Sequence, residues 1–142
     1  MATHTNTPRP VTVDLGYRPR PWQADCHRQM KRFSVLVLHR RAGKTRLAIA
    51  HLMAKALKAG KSSGGDNPSF AYLAPYLKQA KLLAWELLKR NARLIPGSSI
   101  NEAEASITLP NQATIRVFGA DNPDALRGNG FDGVVLDELK DT

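Results

Sequence analysis

The strongest constraint on this chain is an alternation of strand-length apolar runs with segments of helical period. Ser34-Val35-Leu36-Val37-Leu38 and Phe70-Ala71-Tyr72-Leu73-Ala74 are apolar, rich in strand formers and too short for an ordinary helix, so each is expected as a buried strand, the second stopped by Pro75. After the first, residues 44–58 carry Leu47, Ile49, Leu52, Ala56 and Leu57 at helical spacing. After the second, residues 76–94 repeat the pattern, with Leu83, Leu87 and Leu88 expected inward. Strand, helix, strand, helix is the rhythm of a parallel α/β sheet.

Other segments fit around this frame. The Arg18-Pro19-Arg20-Pro21 stretch leads into a short expected helix over residues 22–32, because proline suits a helix start and not its interior. Two alternating runs, residues 106–109 and 114–118, flank Pro110-Asn111-Gln112-Ala113 and predict a hairpin. Gly133-Val134-Val135-Leu136 reads as a third core strand. Residues 59–68 have the composition of a flexible loop, and residues 1–16, rich in Thr and Pro, read as a loose arm before order begins near Tyr17.

A length of 142 residues suits one domain or part of one. Lysine and arginine number 21 against 12 acidic residues, a formal charge of +9, and such a surface gathers polyanions, with nucleic acid the expected partner. Cys26 is the only cysteine, so neither an internal disulfide nor a CxxC metal site can form, which fits a reducing cytoplasm. No stretch approaches the ~20 apolar residues of a membrane span, and the polar start lacks a secretion signal, so a soluble intracellular protein with no membrane partner is expected.

Between the first strand and its helix stands His39-Arg40-Arg41-Ala42-Gly43-Lys44-Thr45. In a strand-loop-helix turn, backbone N–H groups at the helix start surround a phosphate, a lysine reaches its terminal oxygens and a hydroxyl holds magnesium. Gly43 then permits close approach, Lys44 supplies charge, and Thr45 ligates the metal. The pattern GxxxxGK[ST] is incomplete, since its first glycine would fall at Leu38. Read without function, the segment is a basic helix start. Yet Arg40, Arg41 and Lys44 at the positive end of a helix repel its dipole and one another, and a bound anion removes that conflict.

Asp137-Glu138 follows the third strand directly, at the carboxyl end where open parallel sheets place their ligands. In such a pair the first acid binds magnesium through water, and the second orients and deprotonates the water that attacks the γ-phosphate. An apolar run ending in Asp-Glu is common alone; its pairing with the upstream turn is what points to nucleotide hydrolysis.

With both motifs placed, the chain from Tyr17 to Glu138 resembles the N-terminal ATPase part of the large terminase subunit, the DNA-packaging motor of tailed bacteriophages. The resemblance implies a P-loop NTPase fold of the RecA-like ASCE type: a mainly parallel sheet flanked by helices, with a β-hairpin insertion, ending after the Walker B strand. It makes residues 17–142 a partial ATPase domain, without the later strands and nuclease. Arg40 stands where terminases carry an arginine four residues before the lysine, which implies a contact with the phosphates in cis. Pro21-Trp22-Gln23 is similar to a segment whose glutamine recognises adenine, making Gln23 the candidate, with Tyr17 or Trp22 to stack on the base. Pro123-Asp124-Ala125-Leu126-Arg127-Gly128 is similar to the family's segment ahead of the acids, making Arg127 the candidate arginine finger toward a neighbouring subunit. ATP and Mg2+ are the implied cofactors. The implied partners are double-stranded DNA, portal protein, the small terminase subunit and further copies in a ring on the procapsid, in the cytoplasm of an infected bacterium.

By the same resemblance a later strand lies between the phosphate-loop strand and the acid-bearing strand. Without it both would expose unpaired N–H and C=O groups, and the chain alone is expected to fold poorly or aggregate. The final Leu139-Lys140-Asp141-Thr142 does not extend the apolar pattern. Two other readings use the same residues: a helicase-type ATPase, which shares both motifs and the glutamine, and a basic DNA-binding fragment with inert motifs.

Overall fold

A computed structural model describes residues 13–38, 43–61, 65–127 and 130–137. The elements are helix α1 (Pro21–Gln29), helix α2 (Lys44–Lys58), strand β1 (Ser69–Ala74), helix α3 (Leu77–Ala80), a π-helical turn (Lys81–Trp85), helix α4 (Glu86–Leu94), strands β2 (Ser99–Asn101), β3 (Ser106–Thr108) and β4 (Thr114–Gly119), a 3-10 turn (Pro123–Leu126) and strand β5 (Gly133–Leu136). The strands form one five-stranded sheet in the order β2-β3-β4-β1-β5. β1 runs parallel to both β4 and β5, and β2-β3-β4 is an antiparallel meander.

β1 is the spine of the sheet, and its composition says why. All but its first residue is buried, as a strand paired on both edges and covered on both faces must be. Phe70, Tyr72 and Ala74 face the main core with Ile49, Leu52, Met53 and Ala56 of α2, Trp85 and Leu88 of the long helical segment, and Ile115 and Val117 of β4. Ala71 and Leu73 face the opposite side with Phe118, under Ala125, Leu126 and Phe131. Gly133 is needed where β5 begins, because a β-carbon there would collide with the Phe70 ring of its register partner. Val13 and Leu15 pack on the main core, so ordered contacts begin ahead of Tyr17.

The hairpin forms as its turn chemistry predicts, with Ser106 opposite Arg116 and Thr108 opposite Thr114. It is also wired into the sheet, since β4 is the parallel neighbour of β1. Its tip closes the end of α2: Asn111 Nδ2 donates to the carbonyls of Ala56 at 2.8 Å and Ala59 at 3.1 Å. The Ala56 carbonyl belongs to the last turn, where the Ala59 N–H at 3.3 Å is its backbone donor, and Ala59 is the residue that caps the helix.

Four sequence expectations are corrected. The first concerns residues 34–38, which form no strand: Val35 and Val37 are 90% and 92% exposed. Among the described residues no strand lies on the outer edge of β5, so the run has no ladder to join and its apolar composition cannot make one alone. For the same reason β5 is an edge strand and not a core strand, with Val134 46% and Leu136 58% exposed. Helix α1 stops at Gln29, three residues early, where Met30 turns to an extended backbone. Finally, Leu83 points outward. The buried stripe runs Ala80, Ala84, Leu88, Ala92, four residues apart, and the π turn holds that spacing on one face where a regular helix would drift around its axis.

Candidate functional site

Helix α2 begins with Lys44, and Gly43 caps it in the left-handed region at φ 87°. Glycine alone takes that conformation without strain, and the first-turn N–H groups of α2 have no partner within the helix. Among the described residues no side chain caps these groups, and no acidic residue sits in the first turn. The helix start is therefore a patch of donors and positive dipole suited to an anion.

Thr45, in that first turn, meets the end of β5. Its Oγ1 donates to Asp137 Oδ2 at 3.0 Å, joining residues 92 positions apart in sequence. Asp137 is buried and anchored by its own N–H to the Leu73 carbonyl at 2.9 Å, which continues the β1-β5 ladder one step past the strand. A second hydroxyl reaches the same oxygen: Tyr72 of β1 donates to Asp137 Oδ2 at 2.5 Å. The sequence marked Tyr72 only as a core residue. A tyrosine inside an apolar run signals a hydroxyl in need of a partner, although not which partner.

Gln23 arrives from α1. Its Oε1 accepts the Arg20 N–H at 2.8 Å, and its Nε2 donates to the Gly43 carbonyl at 3.2 Å. The side chain is 4% exposed, with both ends of the amide in use within the protein. Tyr17 donates or accepts at His27 Nε2 across 3.0 Å, and Trp22 is half-buried on α1. His27 in turn faces His51 of α2, Nδ1 to Nδ1 at 3.4 Å. The ring planes lie within 17° and the centroids 5.6 Å apart, close to the widest separation that this nitrogen contact permits, so the rings meet edge to edge. Burial pushes both imidazoles below their usual range, and for His51 the neighbouring His27 and Lys55 charges add to it. Sequence reasoning missed this α1-α2 contact, since nothing local marks two histidines 24 residues apart as neighbours.

Arg127 follows the 3-10 turn, mostly exposed, with an ion pair to Asp124 at 3.4 Å. It does not join Thr45 and Asp137. Arg40, Arg41, Ala42 and Glu138 lie outside the described residues, as do Gly128 and His39.

The oxygens of Thr45 and Asp137 form a hard donor set. Among the described residues no group of three His, Cys, Asp or Glu side chains stands together to cage a metal. One carboxylate and one hydroxyl beside a helix start suited to an anion fits Mg2+, which takes few protein ligands and completes its shell with water and substrate phosphate. Among the described residues no helix is long and apolar enough to cross a membrane.

A parallel sheet that delivers a carboxylate to an uncapped helix start is the architecture of phosphate-binding α/β domains. More particularly, the chain shares its fold with the large terminase ATPase domain of Thermus phage P74-26, at a TM-score of 0.65 and 24% identity over 86% of this chain. An arginine-to-alanine variant of that domain matches with the same TM-score at 23% identity. The chain spans about half of each, 54% of their length. No protein-family profile and no curated protein matches it.

Proposed function

We propose that this chain is part of an ATP-hydrolysing motor subunit of the large-terminase kind, which drives double-stranded viral DNA into a procapsid in the cytoplasm of an infected bacterium. The observation that carries the reading is the meeting of Thr45 and Asp137, which brings the phosphate turn and the strand-end acid to one point. The shared fold with a terminase ATPase domain and the +9 charge support it.

The first-turn N–H groups of α2 and the Lys44 ammonium hold the β- and γ-phosphates. Magnesium, when bound, neutralises charge that builds on the transferring phosphoryl group. Thr45 and Asp137 would hold that ion, Thr45 through a hydroxyl lone pair while its O–H keeps its proton and donates to Asp137. Glu138 orients and deprotonates the attacking water. Arg40 in cis, with Arg41 and Ala42 in the same turn, and Arg127 from a neighbouring copy stabilise developing charge. Gln23 serves the nucleotide by fixing Gly43, and reads adenine only on releasing one of its two present partners. Portal protein, the small terminase subunit and further copies of the chain are the partners of this reading.

The test is hydrolysis by the intact protein. Lys44→Ala and Glu138→Gln each abolish ATP turnover while Glu138→Gln still binds Mg-ATP; normal turnover in either variant refutes the assignment. A helicase-type motor uses the same residues and would unwind a forked duplex, an activity that the packaging reading excludes.

A further inference from the structure

We propose that Tyr72 is a positioning residue for the metal-binding carboxylate, setting Asp137 in place through its hydroxyl; this rests on the nucleotide-site reading above. The register leads to it. Tyr72 pairs with Val135 on β5, and residue 137 lies on the same sheet face as residue 135, two positions on. From that register position the side chain must reach along the sheet to residue 137, a span that a long aromatic side chain crosses and a short one does not. The ring of Tyr72 is completely buried in the main core while its hydroxyl emerges at Asp137 Oδ2 at 2.5 Å. The packing of the ring therefore fixes the position of the donor.

Two donors from two elements converge on one carboxylate oxygen, Thr45 from α2 and Tyr72 from β1. Oδ1 receives neither hydroxyl. A carboxylate held this way cannot rotate freely about its terminal bond, so the oxygen that serves the metal is chosen before the metal arrives. Phenylalanine at this position preserves the packing and, among the described residues, leaves the Asp137 carboxylate with the Thr45 hydroxyl and its backbone anchored at Leu73. The Thr45 hydroxyl must also serve the ion. Tyr72 touches neither the nucleotide nor the reacting atoms, and its contribution passes through Asp137, in the manner of outer groups that orient metal ligands.

The experiment is Mn2+ binding, followed by electron paramagnetic resonance, to the intact protein with ADP. Wild type, Tyr72→Phe and Asp137→Asn are compared, together with Val117→Ala, a main-core change at the β4 register partner of Tyr72 that removes packing but no hydroxyl. The expected result is an Mn2+ Kd raised about tenfold in Tyr72→Phe, the loss of one charge-assisted hydrogen bond, with metal-free ADP affinity unchanged. Val117→Ala leaves Mn2+ binding as in wild type even where it lowers thermal stability by more than Tyr72→Phe does. Wild-type Mn2+ affinity in Tyr72→Phe, with affinity lost in Asp137→Asn, overturns the role of Tyr72 and leaves the nucleotide site standing. Equal weakening by Val117→Ala also overturns it, as general loosening of the core. Unchanged affinity in Asp137→Asn overturns the site reading itself.

Discussion

Replacing Gln23 by alanine removes two hydrogen bonds that tie α1 to the phosphate turn. The amide has only one workable orientation, because the Arg20 N–H must face an oxygen and the Gly43 carbonyl must face a nitrogen. Each bond contributes about 0.5–1.5 kcal/mol net. Both partners keep some compensation: Arg20 is exposed to water, and the Gly43 carbonyl also accepts the Leu47 N–H at 3.1 Å. The bonds together are then worth about 1–2 kcal/mol, and loss of the buried methylene adds about 0.8 kcal/mol. The expected cost of Gln23→Ala is roughly 2–3 kcal/mol, a sizeable share of the ~5–15 kcal/mol that holds a domain together. Gln23→Glu separates the two bonds. It keeps an acceptor for Arg20 at the start of α1, where negative charge is favourable, but turns an oxygen toward the Gly43 carbonyl. Glutamate should spare the start of α1 and weaken the phosphate turn, with a larger loss of Mg-ATP affinity than of stability. Urea unfolding and calorimetric ATP titration of the intact protein measure both. A Gln23→Ala protein within about 0.5 kcal/mol of wild type, the range of an ordinary surface change, refutes the reasoning.

Further outcomes follow from the same contacts. Asn111→Ala uncaps the end of α2 and should cost about 1–3 kcal/mol in urea unfolding, since the Ala56 and Ala59 carbonyls lose the amide donor and Ala56 keeps the Ala59 N–H; a loss below that range would mean that water replaces the amide. Gly43→Ala forces a side chain into the left-handed region, at about 1–2 kcal/mol, and sets its β-carbon 3.0 Å from Gln23 Nε2, so phosphate affinity and stability should fall together. Because burial holds His27 and His51 below their usual range, the unfolded chain takes up protons first as pH falls. Stability is then fully present above about pH 6.5 and declines below it. A variant with both histidines changed to glutamine should lose that decline between pH 7 and 5, and an unaltered profile would remove the pair as its cause. In the 142-residue chain, Val35→Lys with Val37→Lys should reduce light scattering at constant unfolding midpoint, because both side chains are exposed; a fall in midpoint would show that they are packed.

How far the sequence carried the structure depends on where each signal resides. β1 and α2 were legible because their patterns are local and complete: a run buried on both faces, and apolar positions at helical spacing. Turn chemistry around Asn111 likewise announced the hairpin. Residues 34–38 carry an equally good strand pattern and form none, because a strand needs a neighbour and composition does not supply one. Leu83 was misplaced by a π turn, which depends on tertiary packing more than on any residue type. At the site, Thr45 and Asp137 were readable as motif positions, and the structure brings them together. The hydroxyl of Tyr72 was not readable, since its partner is set by sheet register. For Arg127 the sequence offered a motif, and the structure leaves it on an exposed turn.

The central claim is that the start of α2 and the tip of β5 serve one nucleotide and its metal ion. Calorimetric titration of ATP into the intact protein, with and without Mg2+, tests it through Thr45→Ala, Asp137→Ala and the double variant. The expected result is that Mg2+ tightens ATP binding in wild type, that each single change removes most of this gain, and that the double change removes little more, as for two groups acting on one ion. Losses that simply add, or a Mg2+ gain that survives both changes, would place the two residues at separate tasks and contradict the account.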